Sequence, residues 1–150
     1  MKPTQKAIDI IKSFEGLKLE SYKCPAGVWT IGYGSTRWPD GKAVEPRQKV
    51  SIDEAEKLLT HEVTKIARRL PEMEVNQNQF DAVVSFAYNV GVAAFANSTL
   101  YRLISKNPNN PLIGDELMKW RFARVGGVKK ELRGLTRRRE AEKLLYFSKL

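Results

Sequence analysis

Hydrophobic residues change their spacing twice along this chain, and the two changes restrict the folds it can adopt. Up to Gly16, apolar residues recur at helical spacing. Residues 17–50 are rich in turn signals and in β-branched and aromatic residues, which predicts a small antiparallel sheet. From Ser51 onwards the spacing is helical again. Segregated blocks of helix and sheet predict an α+β fold with two lobes, and a substrate would bind in the cleft between them.

We expect one domain over residues 1–150, with one lobe at about residues 12–60 and a second at about 70–150 plus the N-terminal helix. Ser51 and Glu54 have the spacing of a capping box at a helix start. Basic residues follow Gly126-Gly127, and we expect a mobile connection from there to Gly134. Later helices are predicted at Asn76–Asn89, after Ser98, at Leu112–Trp120 and at Leu135–Phe147.

Cysteine and histidine counts exclude several classes of site. Cys24 and His61 are the only residues of their types, so an internal disulfide, a cysteine-based zinc cluster and a His-rich metal site are excluded. A Ser-His-Asp hydrolase would need His61, which lies in a charge-rich helical segment.

Charges interrupt the apolar N-terminal stretch, so we expect no signal peptide or anchor and synthesis in the cytoplasm. No oligomer signature is visible, and a monomer is expected.

Positive charge is concentrated near the C-terminus. The net charge is +9, and residues 119–150 alone carry 11 Lys or Arg against 3 Asp or Glu. Such a segment attracts polyanions such as nucleic acid, anionic lipid or anionic cell-wall polymer. The alternative is a solvated helix face that keeps the protein soluble.

The residues from Glu15 to Gly34 carry the most informative pattern. Glu15-Gly16 is followed by Leu19, Tyr22 and Cys24, and the segment ends in Thr30-Ile31-Gly32-Tyr33-Gly34. This run closely resembles the start of bacteriophage-type lysozymes, the endolysins. Three later segments are similar to the same family in the same order: Gln79–Gly91, Phe95–Leu100 and Gly134–Glu142. The resemblance therefore covers nearly the whole chain.

The resemblance implies a muramidase, which hydrolyses peptidoglycan between N-acetylmuramic acid and N-acetylglucosamine without metal or cofactor. Its catalytic set would be Glu15, then Cys24 nine residues later, then Thr30 after six more. Glycosidic cleavage needs an acid that protonates the leaving oxygen. The C-terminal end of a helix and apolar neighbours would favour the neutral form of Glu15, and a nearby arginine would oppose them.

Cys24 stands where the family more often has Asp. It could act as a thiolate nucleophile or help to position water, or it could be a small turn residue that fills space. Thr30 would hold a water on the far side of the sugar, which suits inversion at the anomeric carbon. The alternative for Thr30 is a residue chosen only as a good strand former.

The same resemblance implies further site residues. Tyr88 and Asn89 end the central helix and would bind sugar, although a core tyrosine and a helix-end asparagine are equally plausible. Arg138 would hold the side chain of Glu15, but Arg137 and Arg139 leave that assignment ambiguous. Gly32 and Gly34 are expected to permit tight sheet geometry without a chemical role.

Three other functions compete with the muramidase. A non-catalytic wall-binding module would use the basic tail, but it would not need an intact Glu15. A nucleic-acid-binding domain fits the charge, yet no specific nucleic-acid motif is present. A lytic transglycosylase uses one acid and no water, which Thr30 argues against.

As an endolysin, the protein would leave the host cytoplasm through holin-type membrane lesions, reach the cell wall and lyse the cell by degrading it.

Overall fold

The computed structural model describes residues 1–150 and contains seven helices and two two-stranded sheets. One helix, a small sheet and then a helical region follow each other, which confirms the predicted α+β fold. The elements are α1 (Gln5–Glu15), β1 (Lys18–Lys23), β2 (Trp29–Gly32), α2 (Ile52–Arg69), α3 (Gln77–Val90), α4 (Val92–Ala96), α5 (Thr99–Lys106), α6 (Leu112–Met118), β3 (Phe122–Val125), β4 (Val128–Glu131) and α7 (Arg133–Tyr146).

Helix α1 ends where the sequence predicts. Gly16 has a φ of 70°, and its N–H donates to the carbonyl oxygen of Lys12. A positive φ is costly for residues that have a Cβ, so glycine suits this position. Glu15 is therefore the last residue of the helix, with its side chain at the helix end that carries the partial negative charge.

The first sheet is shorter than predicted. Strands β1 and β2 pair antiparallel, with Tyr22 opposite Thr30 and Lys23 opposite Trp29. The rest of residues 17–50 forms turns and isolated bridges. Strand β2 stops at Gly32, whose φ of 66° takes the chain out of the extended region. The turn between the strands begins at Cys24, so the second residue of the predicted catalytic set is the first residue of the hairpin loop.

Helix α2 connects the sheet region to the remaining helices. Ser51 Oγ accepts from the Glu54 N–H and Glu54 accepts from the Ser51 N–H, which confirms the capping box. Helix α3 contributes to two separate cores. Phe80 and Val84 pack with α1, α2 and the sheet region, whereas Val83 and Phe86 pack with the C-terminal helices. A central helix shared by two cores fits the two-lobed fold; the residues at which the lobes divide remain a prediction.

The mobile connection predicted after Gly126 is wrong. Residues on both sides of Gly126-Gly127 form the β3–β4 hairpin, in which Val125 pairs with Val128 and Phe122 with Glu131. Both glycines have positive φ, 59° and 80°, as a two-residue hairpin turn requires. The basic residues occupy the exposed strands of a regular hairpin, so their charge did not prevent pairing.

Helix limits elsewhere differ from the predictions by a few residues. The central helix is α3, with Asn76 as its N-cap, and α6 ends at Met118 rather than Trp120. The last helix starts two residues earlier than predicted and ends at Tyr146, which is buried, while Phe147 is exposed. No helix has the length and apolar character needed to span a membrane.

Candidate active site

Glu15 is held by an arginine from the other end of the chain. Arg138 of α7 donates from Nη1 to Oε1 of Glu15 at 2.7 Å, and only 4% of the Arg138 side chain is exposed against 24% of Glu15. Arg138 also donates from Nη2 to the Ser85 carbonyl oxygen and from Nε to Glu142. Arg137 is exposed and Arg139 binds other partners. Of the three neighbouring arginines, Arg138 is therefore the one that contacts Glu15.

Beneath this contact lies a buried charge network that the sequence analysis did not identify. Glu142 is fully buried, with Oε1 2.8 Å from Nε of Arg139 and Oε2 accepting from Ser85 Oγ at 2.6 Å. Burial raises the pKa of Glu142, while Arg139, Ser85 and Arg138 act in the opposite direction. One signal was present in the sequence, because Glu142 follows Arg138 by four residues and Arg139 by three, the spacings of helical ion pairs.

Gly34 lies close to the second oxygen of Glu15. A Cβ built on Gly34 would lie 2.9 Å from Oε2 of Glu15, closer than side chains normally approach, and Gly34 has a φ of 92°. The carboxyl group is therefore confined between the guanidinium group of Arg138 and the backbone of Gly34. Sequence reasoning gave this glycine a role in sheet geometry alone, whereas it shapes the space around Glu15.

Gly34→Ala is expected to reduce both stability and activity. The positive φ costs about 1–3 kcal/mol for a residue with a Cβ, and the new methyl group displaces Oε2 of Glu15. Gly41→Ala is the matched control, because Gly41 has a φ of 88° and nothing within 4 Å of the added Cβ. Urea unfolding should show comparable losses for both variants, and assays of the activity that the resemblance implies should show a loss specific to Gly34→Ala. Equal activities in the two variants would contradict this role of Gly34.

Cys24 is a half-buried free thiol at the start of the turn between β1 and β2. A hydrogen bond with the backbone of Val28 lowers the pKa of the Cys24 thiol, with smaller contributions in the same direction from Ala26 and Thr30, while burial acts in the opposite direction. Backbone N–H groups that point at sulfur stabilise a thiolate because they donate to its negative charge.

Thr30 is nearly buried next to this turn, with 4% of its surface exposed. Its hydroxyl lies 3.0 Å from the Val28 carbonyl oxygen, to which it donates, and it also interacts with the Cys24 sulfur. The hairpin register thus brings Cys24 and Thr30 together. Their meeting could be anticipated from the turn between the strands, which folds the chain back on itself at this point.

Tyr88 and Asn89 lie at the end of α3 in different environments. The half-buried Tyr88 places its hydroxyl oxygen 3.1 Å from the Tyr33 carbonyl oxygen and 3.1 Å from Oε2 of Glu62. Burial, followed by the negative charges of Glu62 and Glu15, raises the pKa of the Tyr88 phenol. Asn89 is exposed, and its Oδ1 accepts from Nη2 of Arg139 at 2.8 Å. The amide nitrogen of Asn89 remains free to donate to another group.

Glu62 is a second carboxyl group near Glu15 that the sequence analysis missed. Burial raises its pKa and the negative charge of Glu15 adds to the rise, whereas Ser35, Tyr88 and Lys65 act in the opposite direction. A signal was available: Glu62 occupies an otherwise apolar stripe of α2, between Leu59 and Ile66. Glu62, Tyr88 and Gly34 belong to one pocket of about 280 Å³, which also includes Thr36, Lys65, Ile66 and Arg69.

Glu15 lies close to Gly34, which lines the same pocket as Glu62 and Tyr88. No group of three or more His, Cys, Asp or Glu side chains is arranged to hold a metal ion. What the arrangement offers chemically is a carboxyl group fixed by Arg138, a thiol with a lowered pKa beside a hydroxyl group, and a second carboxyl group bonded to a tyrosine.

Comparisons with known proteins point to one family. The family model described as Phage lysozyme matches residues 12–142. An endolysin of Acyrthosiphon pisum secondary endosymbiont phage 1 is 34% identical and aligns over 99% of each chain. An endolysin of Bacillus phage B103 is 40% identical over 99% of this chain, which spans 55% of that relative.

Solved structures agree with this result. An endolysin from Escherichia coli O157:H7 phage FAHEc1 superposes with a TM-score of 0.88 at 36% identity, covering 98% of this chain and 94% of that one. The muramidase domain of SpmX from Asticaccaulis excentricus superposes with a TM-score of 0.86 at 31% identity, covering 99% of both chains.

Proposed function

Since the chain belongs to the phage lysozyme family of peptidoglycan-degrading glycoside hydrolases, we propose that it cleaves the β-1,4 bond between N-acetylmuramic acid and N-acetylglucosamine with Glu15 as general acid. The observation that carries the proposal is the placement of Glu15, which Arg138 and Gly34 confine from two sides at the end of α1. A general acid must be fixed within hydrogen-bond reach of the leaving oxygen.

Arg138 acts in this scheme as a positioning residue. Its three guanidinium nitrogens donate to Glu15, Glu142 and the Ser85 carbonyl oxygen, so the group is tied to α3 and α7 while it holds Oε1. Oε2, on the side of Gly34, is then the oxygen that carries the proton to the glycosidic bond. Protonation turns the departing sugar oxygen into a neutral hydroxyl group, while positive charge builds up on the anomeric carbon.

Cys24 and Thr30 supply the second half of the reaction. The lowered thiol pKa and the backbone hydrogen bonds support a thiolate that either attacks the anomeric carbon or accepts a proton from water held by Thr30. Direct attack would give a covalent intermediate and retention, whereas water activation would give inversion. The Thr30 hydroxyl lies beside the sulfur and donates to Val28, so its oxygen can still accept from a water.

Substrate contacts are assigned to the end of α3. The free amide nitrogen of Asn89 is suited to donate to a sugar hydroxyl, because its oxygen is already fixed by Arg139. The half-buried ring of Tyr88 lines the cleft pocket and would pack against a sugar ring. The hydroxyl of Tyr88 already has two neighbours within the protein, so its contribution to binding is packing rather than hydrogen bonding.

Product analysis tests the bond and the reaction type together. Purified peptidoglycan is digested with the wild type, the new ends are reduced with borohydride, and the fragments are identified by mass spectrometry. We expect reduced N-acetylmuramic acid at the new ends. Reduced N-acetylglucosamine would mean that the other glycosidic bond is cut, and anhydromuramic acid would identify a lytic transglycosylase. Binding to the wall without any release of fragments would favour the non-catalytic module.

The basic C-terminal segment is proposed to hold the enzyme on anionic wall polymer or on an anionic membrane surface. Arg124, Lys129 and Lys130 are exposed on the β3–β4 hairpin, where Glu131 is the only acidic residue of the two strands. The release of the protein through lesions made by another membrane protein, and its monomeric state, remain predictions.

Neutralising the three hairpin cations to glutamine is expected to weaken wall attachment. Attraction between exposed charges is screened over about 10 Å at 0.1 M salt and about 3 Å at 1 M, so high salt should reproduce the effect. The measurement is co-sedimentation with purified walls, and a control variant removes the exposed Lys2, Lys42 and Lys57 instead. Attachment that is insensitive to salt, or equally weakened in the control, would count against the hairpin as the binding element.

A further inference from the structure

Glu62 lies in the cleft pocket but has no role in the reaction proposed above. It projects from α2, and its neighbours belong to other elements: Ser35 in the loop after β2 and Tyr88 at the end of α3. Tyr88 in turn contacts the backbone of Tyr33, the residue before Gly34. These contacts therefore connect three parts of the fold around Glu15. The hydrogen bonds that Tyr88 makes with Glu62 and Tyr33 determine whether Glu62 carries a proton.

The protonation state of Glu62 follows from the hydrogen bonds of Tyr88, whose hydroxyl group has one proton for two neighbouring acceptors. Its hydroxyl oxygen lies 3.1 Å from the Tyr33 carbonyl oxygen and 3.1 Å from Oε2 of Glu62. A carbonyl oxygen and an ionised carboxylate only accept hydrogen bonds, whereas a tyrosine hydroxyl has a single proton to donate. With Glu62 ionised, one of these two contacts lacks a proton. With Glu62 protonated on Oε2, both are complete, because Glu62 donates to Tyr88 and Tyr88 donates to Tyr33.

The surroundings of Glu62 agree with a neutral carboxyl group. Burial in the cleft wall is the main cause that favours the neutral form, and Glu15 adds to it whenever Glu15 is ionised. Lys65 favours the charged form, but it is exposed to solvent, which screens its charge. The titratable or charged groups around Glu62 are Glu15 on α1, Lys65 and Arg69 on α2, Tyr88 on α3 and, beyond Glu15, Arg138 on α7.

We infer that Glu62 is a positioning residue that stays protonated in the resting enzyme, where it donates to Tyr88 so that Tyr88 can hold the Tyr33 carbonyl. Tyr33 is followed directly by Gly34, whose backbone confines Oε2 of Glu15. The chain from Glu62 through Tyr88 to Tyr33 thus fixes the segment that shapes the space around the general acid. The effect of these contacts on catalysis rests on the proposed function, whereas the protonation of Glu62 can be measured without substrate.

Infrared spectroscopy of the protein alone tests the protonation. At about pH 6, where an ordinary glutamate is ionised, the wild type should show the C=O stretch of a protonated carboxyl group. Glu15, as the proposed general acid, and the buried Glu142 can contribute bands of their own, so the Glu62 band is identified by difference between variants. The spectrum of the wild type minus that of Glu62→Gln should contain a protonated-carboxyl band, and the same difference should appear when both proteins carry Glu15→Gln. A carboxyl region that Glu62→Gln leaves unchanged would overturn the inference. The spectra decide this point whether or not the wild type cleaves peptidoglycan, so failure of the proposed function would be recognised separately.

Kinetics test the positioning role through rescue by a conservative substitution. Glu62→Leu removes the donor, and we expect kcat to fall about three- to tenfold, the effect of one neutral hydrogen bond, with little change in KM. Glu62→Gln keeps a donor that cannot ionise, so it should recover most of that loss in kcat. Its kcat should also show no decrease at alkaline pH that results from deprotonation of Glu62. A fall in kcat in Glu62→Gln as large as in Glu15→Gln would mean that Glu62 reacts with substrate, which would overturn the inference.

Discussion

Glu15→Gln is expected to lower kcat for peptidoglycan hydrolysis by about 10²- to 10⁴-fold, the usual contribution of a general acid. Glutamine preserves the shape of the side chain but cannot transfer a proton to the glycosidic oxygen. Arg138 keeps its bonds to Glu142 and the Ser85 carbonyl in this variant, so the fold should persist. Initial rates on soluble peptidoglycan fragments, together with circular dichroism spectra, would separate lost chemistry from lost structure.

Glu20→Gln is the matched control for this experiment. Glu20 is exposed in β1, so the substitution removes one negative charge a few residues after Glu15 without touching Arg138. Its hydrolysis rate should stay close to that of the wild type. If Glu15→Gln hydrolysed peptidoglycan as fast as Glu20→Gln does, the general acid would be another residue, and Glu62 would be the first to examine because it is a second carboxyl group near Glu15.

Local signals were sufficient to predict much of the fold. The capping box at Ser51 and the positive φ at Gly16 depend on a few neighbouring residues, so the sequence contains the whole cause. The hairpin after Met118 was missed although its signal was also local. Two glycines between β-branched valines are typical of a two-residue turn, but the sequence analysis expected a mobile connection there.

The site was less predictable because its contacts join distant parts of the chain. Arg138 meets Glu15 across 123 positions, and the choice among three successive arginines depends on how α7 is rotated against α1 and α3. Arg138 and Arg139 face inward while Arg137 faces solvent. Glu62 was missed for a related reason: its position in an apolar stripe shows from the sequence, but its neighbours Tyr88 and Ser35 come from other parts of the chain.

A single buried carboxylate balances the positive charge of the arginine that contacts Glu15. Arg138 and Arg139 are 3% and 0% exposed, and Glu142 is in contact with both. Two adjacent guanidinium groups repel each other in a poorly screened interior, and burial already lowers the pKa of Arg139. Glu142 therefore allows Arg138 to remain buried and charged beneath Glu15, so the position of Glu15 and the stability of the domain depend on the same residue.

Glu142→Gln should accordingly cost about 3–5 kcal/mol of unfolding free energy, because it leaves buried guanidinium charge without a compensating carboxylate. For a domain of this size each kcal/mol lowers Tm by about 2–4 °C, which gives a fall of roughly 6–20 °C. Urea unfolding at neutral pH measures the change. Glu116→Gln is the control: its partner Lys119 is 68% exposed, so that pair should contribute less than about 1 kcal/mol. Similar losses in the two variants would show that Glu142 is not needed to compensate the buried arginines, and the dependence of the acid's position on this network would have to be abandoned.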